Sequence, residues 1–306
     1  KAQDNDPCVL VHHDIVQSVL FGVGMFYYLL SVLPPTVTKV LEFIGFKKNR
    51  SLGIEYLDYV ASNRGLKSGS AIFMLSFNYL FVPTALSDKH EQLARFKPHL
   101  DFVLEAYPQG ALFLLSASQF ERKLGDYETA IVHLNTAIDV CQKMGATPHS
   151  MDYELGQCYF VKQNFEEARK IFEKLVAVND TFDVKAFSAI SLAVCHHNLG
   201  DWEKAQELIP TICSMTTKKS RFDVYVIEKI KLLERSSNDT EKKLILKLTQ
   251  FELLYLKRDI HHMKPDTLNV LLKDLESIHE ELEHVKMGDV KAATFVINAS
   301  LLRSPG

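Results

Sequence analysis

The 306-residue chain is predicted to be an all-α, right-handed α–α solenoid, and three observations carry that prediction. Gly (13) and Pro (10) are scarce for a chain of hairpins and turns. A turn followed by an acidic stretch and an Ala recurs every 37 or 38 residues. Most of the remaining sequence places apolar residues at a 3.6-residue period. With 47% hydrophobic and 24% charged residues the chain can bury a core, which excludes general disorder. Lys+Arg (35) and Asp+Glu (38) nearly balance at a net charge of -3, so no basic face is implied and nucleic acid is not an expected partner. Five Cys without a CxxC pair suit a reducing interior, and the chain is read as cytoplasmic.

The first elements are degenerate helical pairs over residues 1–106. The chain opens at Lys1 without Met or a leader pattern, and is read as a stretch of a longer protein, truncated at one or both ends. Val16 to Leu33 is nearly all apolar and closes on Pro34-Pro35, against about 20 residues needed to cross a bilayer. Gln17, Ser18 and Ser31 interrupt it, so it is read as a buried core helix, with membrane contact as the alternative. Arg50 to Leu57 resembles the second helix of a later repeat, with Gly53 where those repeats have Ala. Ser70–Val82 and Asp88–Glu105, separated at Pro83, supply the next pair.

Residues 107–213 hold three clear copies: Leu124–Ile131, Lys162–Arg169 and Leu199–Gln206 align on Ala130, Ala168 and Ala205. With each Ala at position 20 of a unit of about 34 residues, Ser118, Gly156 and Ala193 fall at position 8, and Leu134, Phe172 and Ile209 at position 24. This pattern resembles the tetratricopeptide repeat. Small residues let the two helices of a pair approach, and large ones fill the space between pairs. Glu121 and His196 depart from the pattern at position 11, and Pro is absent at position 32. Residues 214–306 continue with helices at Phe222–Leu233, Thr240–Lys257, Asp266–His284 and Val290–Leu301, so 1–306 is read as one continuous array. The lysines around Lys218 and Lys242 are read as a solvated helix face.

No motif supports catalysis, a cofactor or a metal. Gly22-Val23-Gly24 lacks the third glycine of a dinucleotide fingerprint, which would fall at Tyr27. His279-Glu280 lacks the second metalloprotease histidine, because Glu283 stands there and His284 comes one residue late. Adjacent histidines such as His196-His197 point in different directions on a helix and cannot readily share an ion. Cys158 and Cys195 occupy the same repeat position and read as small core residues. The chain is therefore not expected to be an enzyme.

Binding in such arrays falls on the first helix of each pair, which lines a concave groove. The candidate groove residues are Gln119, Arg122 and Lys123 in the first repeat, Tyr153, Gln157 and Phe160 in the second, and His197 and Asn198 in the third. They give a basic edge followed by an apolar and mixed surface, suited to a partner helix or an extended hydrophobic peptide. The alternative, equally open, is that the chain's own Phe222–Leu233 or Thr240–Lys257 fills the groove. The Lys, Asn and Arg clamp of chaperone-binding relatives is absent, since Leu115, Gln119, Phe187 and Ser191 stand there.

A second resemblance lies in the N-terminal third. Phe21-Gly22-Val23-Gly24-Met25-Phe26, Leu30-Ser31-Val32-Leu33-Pro34-Pro35 and Phe43-Ile44-Gly45-Phe46 resemble the signature of the tetratricopeptide repeat protein 39 family, which includes the yeast inclusion body clearance protein. Phe251–Leu256 and Ala299–Arg303 sit where similar stretches do. The resemblance implies a non-catalytic scaffold that binds protein partners and is linked to lipid homeostasis or inclusion-body clearance. It also implies a cytoplasmic place, peripheral at the mitochondrial outer membrane or lipid droplets. The alternative is a lipid-handling protein that touches membrane or droplet through helix 16–33. The exposure of Val19, Phe21, Met25, Phe26 and Leu29 discriminates the two.

Overall fold

A computed structural model describes residues 7–81, 89–179, 182–217, 220–236 and 238–283. Fourteen α-helices and no strand occur among the described residues. They are α1 (Pro7–Val32), α2 (Pro35–Phe43), α3 (Arg50–Ser62), α4 (Ser68–Ser76), α5 (Lys89–Ala106), α6 (Ala111–Leu124), α7 (Tyr127–Lys143), α8 (His149–Val161), α9 (Phe165–Val176), α10 (Lys185–Asn198), α11 (Trp202–Leu208), α12 (Arg221–Arg235), α13 (Asp239–Leu256) and α14 (Pro265–Glu283). A π-helical turn at Phe77–Phe81 extends α4, and 3-10 turns follow α11 and α13. The helices expected after residue 50 are found with bounds that agree to within a few residues, but α1 begins at Pro7 and not at Val16, and α2 was not expected. The expected helix Val290–Leu301, Val82, Asp88 and His284 lie outside the described residues.

The chain forms two compact units, residues 1–120 and 121–306, with the boundary inside α6. In the first unit α1 packs on α3, α3 on α4, and α4 on α5. The core is Leu57, Val60, Ile72, Leu75, Phe96 and Val103, all nearly inaccessible. Two glycines set the α1–α3 distance. A Cβ on Gly53 would lie 2.7 Å from the Tyr28 amide nitrogen and 2.9 Å from the Gly24 carbonyl, so the helices touch backbone to backbone.

One expectation is corrected here. The apolar run 16–33 is not a core helix, because only 22% of its most apolar eighteen-residue window is buried. Gln17, Gly24 and Tyr28 face α3, but Val19 is 59% exposed, and Phe26 and Leu29 lie open as well, with Phe21 and Met25 half-buried. The stretch His12–Val32 is long and apolar enough to cross a membrane by length and composition alone. Its hydrophobicity runs all round the helix, and α3 covers only one side.

In the second unit the repeats stack in sequence order, α7 on α8, α8 on α9, α9 on α10 and α10 on α11. The positions expected to be small or large behave so: Ala130, Ala168, Ala205, Leu134 and Phe172 are fully buried. A Cβ on Gly156 would meet the Phe172 ring at 2.7 Å. Each repeat turn needs one left-handed residue, supplied by Gly125 (φ 77°), Gln163 (φ 57°) and Gly200 (φ 83°). Gln163 carries a Cβ in that conformation, at a cost of about 1 kcal/mol that the two glycines avoid. Asp126 and Asn164 then cap α7 and α9, accepting hydrogen bonds from the Thr129 and Glu167 amides. Pro210 cannot donate the next helical hydrogen bond, so the second helix of the third repeat ends at Leu208 and continues as a 3-10 turn over Ile209–Met215.

Two helices of this unit are buried almost all round. In α10 every residue from Lys185 to His196 is buried, with α9, α11, α12 and α13 packed about it. In α13 the run Leu244–Leu246, Leu248–Phe251 and Leu253-Leu254 is buried, and α14 packs against its far side. Helices α12 and α13 are thus part of the repeat core.

Candidate functional site

Two surfaces qualify as candidates, one in each unit. The first is the concave face of the repeats, where sequence placed the groove. Tyr153, Gln157 and Phe160 of α8 are each no more than 3% exposed, and Arg122 is buried at the end of α6. Gln119, Lys123 and His197 are half-buried, and Asn198 is exposed.

What covers this face is the chain itself. Tyr153 packs edge-on to Phe187, which in turn meets Phe222 of α12 with ring centroids 5.0 Å apart. The Lys257 ammonium, at the end of α13, lies 4.9 Å from the centre of the Tyr153 ring. Asn198 donates from Nδ2 to Gln250 Oε1 of α13 at 3.1 Å. Phe160 turns into the repeat, against Phe165 and Phe172. Of the two readings left equally open by the sequence, the structure has the self-filled one: α12, α13 and the 3-10 turn Asp259–His262 lie against this face. Clefts beside it include one of about 210 Å³ between Gly125–Glu128 and Met263-Lys264 and one of about 240 Å³ between Phe165, Asn198 and Ser277. Both fall below the roughly 300 Å³ of an ordinary ligand pocket.

A buried charge network fastens the plug. Arg122 donates from one guanidinium nitrogen to Glu154 and from another to Asp259 Oδ1 at 2.8 Å, across 137 residues of sequence. Lys257 Nζ reaches the other Glu154 oxygen at 3.2 Å. Burial would discharge Arg122, but Asp259 and Glu154 outweigh it and hold the guanidinium well above its usual pKa. Burial, and then Glu154, push the Tyr153 phenol up. Burial lifts the Cys158 thiol to about 12, which fits a core residue and not a nucleophile. The 3-10 turn seats so closely that a Cβ on Gly125 would stand 2.5 Å from the His262 carbonyl oxygen. A second anchor joins α12 to α13, where Lys229 Nζ and the Tyr225 hydroxyl both reach the Glu252 carboxylate at 2.6 Å.

Sequence picked out Arg122 and Tyr153 but missed Glu154, Asp259 and Lys257. A basic residue on an otherwise apolar face was the available signal, and nothing in the sequence pointed to its partner so far downstream.

His197 sits in the third-repeat part of this face, edge-on to Trp202, with Lys243 stacked over the same indole. Burial, then Lys247 and Lys243 of α13, lower its pKa to about 4, while Glu281 of α14 pulls the other way. The unfolded imidazole titrates near 6.5. Between these values the unfolded chain binds the extra proton, so stability is full above pH 6.5 and falls as pH drops toward 4. Because the ring is partly solvated, screening holds the effect to the order of 1 kcal/mol. Urea midpoints at pH 7 and 4.5 are expected to differ less for His197→Gln than for the native chain. An identical difference in both would show that His197 carries none of the pH dependence.

No group of three His, Cys, Asp or Glu side chains that could hold a metal occurs among the described residues.

The second candidate surface is the open side of α1 and α2. Val37, Val40, Phe43 and Ile44 of the α2 region are exposed, Phe43 at 90%. Phe46 folds back on Phe26 of α1 with ring centroids 5.5 Å apart, which joins the two helices into one apolar face. Lys39, Lys47 and Lys48 stand exposed around it. Beside α1, Asp14, Ile15, Ser18, Val19 and Leu66 line an open hollow of about 480 Å³.

A family comparison agrees with both the stacked repeats and the N-terminal pair. The match to the Iml2/Tetratricopeptide repeat protein 39 family runs over residues 1–301. That span takes in the apolar N-terminal helix, the three repeats and the helices that plug them, so the chain belongs to the Iml2/Tetratricopeptide repeat protein 39 family.

Proposed function

We propose that this tetratricopeptide-repeat-type protein is a non-catalytic scaffold that gathers protein partners through the α1–α2 face and not through the repeat groove. The observation that carries this reading is the contrast between the two surfaces. The groove is filled by α12 and α13, whereas α1 and α2 present neighbouring large apolar side chains to solvent, the kind of patch that marks an interaction site. A link of this scaffold to lipid homeostasis or inclusion-body clearance, in the cytoplasm and peripheral at the mitochondrial outer membrane or lipid droplets, is the part of the proposal that rests on the family resemblance alone. The test is capture of partners from cells with the native chain and with Val40→Glu/Phe43→Glu. Both side chains are exposed, so the thermal melt should stay unchanged while the partners are lost. Partners retained by the folded variant would remove the reading.

A second reading has its own observation. Val37, Val40, Phe43 and Ile44 with Lys39, Lys47 and Lys48 beside them have the chemistry of a helix that lies on an anionic lipid surface. Flotation with phosphatidylserine vesicles, lost for Lys47→Glu/Lys48→Glu, is the expected result at about 0.15 M ionic strength. Equal flotation with neutral vesicles, or none, would exclude it.

A further inference from the structure

We infer that α1 is the interface with a second copy of this chain, the two α1 helices crossing antiparallel at Gly22; the inference rests on reading the α1–α2 face as a docking surface. Among the exposed residues of α1, Ile15, Val19, Gly22, Phe26 and Leu29 follow at intervals of 4, 3, 4 and 3 residues and Leu33 continues the row just past the helix end, a seam along which one helix can pack on another, with Val16 and Val32 exposed at its margins. The open side of a helix lying on lipid has the same spacing, so the residue that favours a helix partner is Gly22 at the centre of the seam.

Gly22 is the residue that the chain's own packing leaves unexplained. It sits mid-helix, where glycine is unfavourable, and a Cβ there would meet nothing within 4 Å. Gly24, two residues on, is pressed against Tyr56 and Leu57, so that glycine has its cause inside the fold. Gly22 points the other way, at the centre of the seam, where a missing side chain permits close approach of another helix.

The seam is complementary to itself about that point. In an antiparallel pair crossing at Gly22, Val19 of one protomer faces Phe26 of its partner, and Ile15 faces Leu29. The large Phe26 then falls over the hollow of about 480 Å³ lined by Asp14, Ile15, Ser18, Val19 and Leu66, whose floor is apolar apart from Asp14 and Ser18. No acidic or basic residue lies between Val16 and Thr38, so the helices meet without like charges along the seam. The area is sufficient. At about 200 Å² for a fully exposed large side chain, Ile15, Val19, Phe26, Leu29, Leu33 and Leu66 offer roughly 600 Å² at their observed exposures. That matches the apolar share of a standard interface of about 800 Å² per partner.

The experiment is the solution mass of the 1–306 chain by light scattering and sedimentation. The native chain is expected to have twice the single-chain mass at tens of micromolar. Gly22→Leu and Val19→Lys should each weaken association at least tenfold with the thermal melt retained, because both positions face solvent in the single chain. Val19→Lys combined with Phe26→Glu should restore the dimer, since antiparallel pairing sets each lysine against a glutamate. A parallel pair would set like charges together, and no restoration overturns the proposed register. A native chain of single mass, or a dimer indifferent to Gly22→Leu and Val19→Lys, overturns the proposal. A chain of single mass that floats with vesicles overturns it in favour of lipid. If the chain is of single mass and Val40→Glu/Phe43→Glu still strips cellular partners, only the dimer falls and the docking surface stands.

Discussion

Arg122→Met is expected to lower the unfolding free energy by about 3–5 kcal/mol, measured by urea denaturation at pH 7. Methionine fills much of the guanidinium's volume, so the loss is not a cavity effect. It comes mainly from Asp259, a buried carboxylate that loses its guanidinium partner, while Glu154 keeps Lys257. Arg122→Met/Asp259→Leu should recover a good part of the loss, because an apolar pair replaces an unpaired charge. A cost below 1 kcal/mol for the single substitution would mean that the network does not hold the plug. Since Asp259 belongs to the turn after α13, the same variant should expose the repeat face, read as faster proteolysis between α12 and α14.

Gly53→Leu is the second large effect, with a loss of about 3 kcal/mol. The new side chain meets backbone atoms of α1 at Tyr28 and Gly24, and backbone cannot rotate aside as a side chain can. The α1–α3 pair must separate, which strips α1 of the one face it buries. Gly22→Leu is the matched control on α1, where within the single chain the added atoms meet no neighbour. Gly53→Leu should melt well below the native chain, whereas Gly22→Leu should melt close to it. A Gly53→Leu chain that melts like the native one would contradict the backbone-to-backbone packing of α1 on α3.

Much of this architecture is written locally and could be read from single residues. The Gly-Asp turns, the Ala at each close approach and the large residue four positions later are short-range demands of a helical pair, so the three repeats appear at fixed spacing. Helices α12, α13 and α14 announce themselves by period. Their destination does not, because which apolar helix covers the groove is decided by competition among faces that look alike in sequence. Thr240–Lys257 was one candidate for that place, and the contacts of Lys257 with Tyr153 and of Asn198 with Gln250 show that it holds it. The misreading of residues 16–33 has the same origin. An apolar run reports that a helix avoids water, but whether a neighbour supplies the cover is a property of the packed fold.

By itself, then, the sequence determined the all-α class, the family, the repeat register and the absence of a motif for catalysis, all features set within a few turns of helix. Only the tertiary structure decided that the groove is closed by α12 and α13, that Arg122 is tied to Asp259 across 137 residues, and that the open apolar face lies on α1 and α2. The physical reason is that burial and charge pairing are satisfied between segments distant in the chain. A sequence records the need for a partner long before it records which partner meets it.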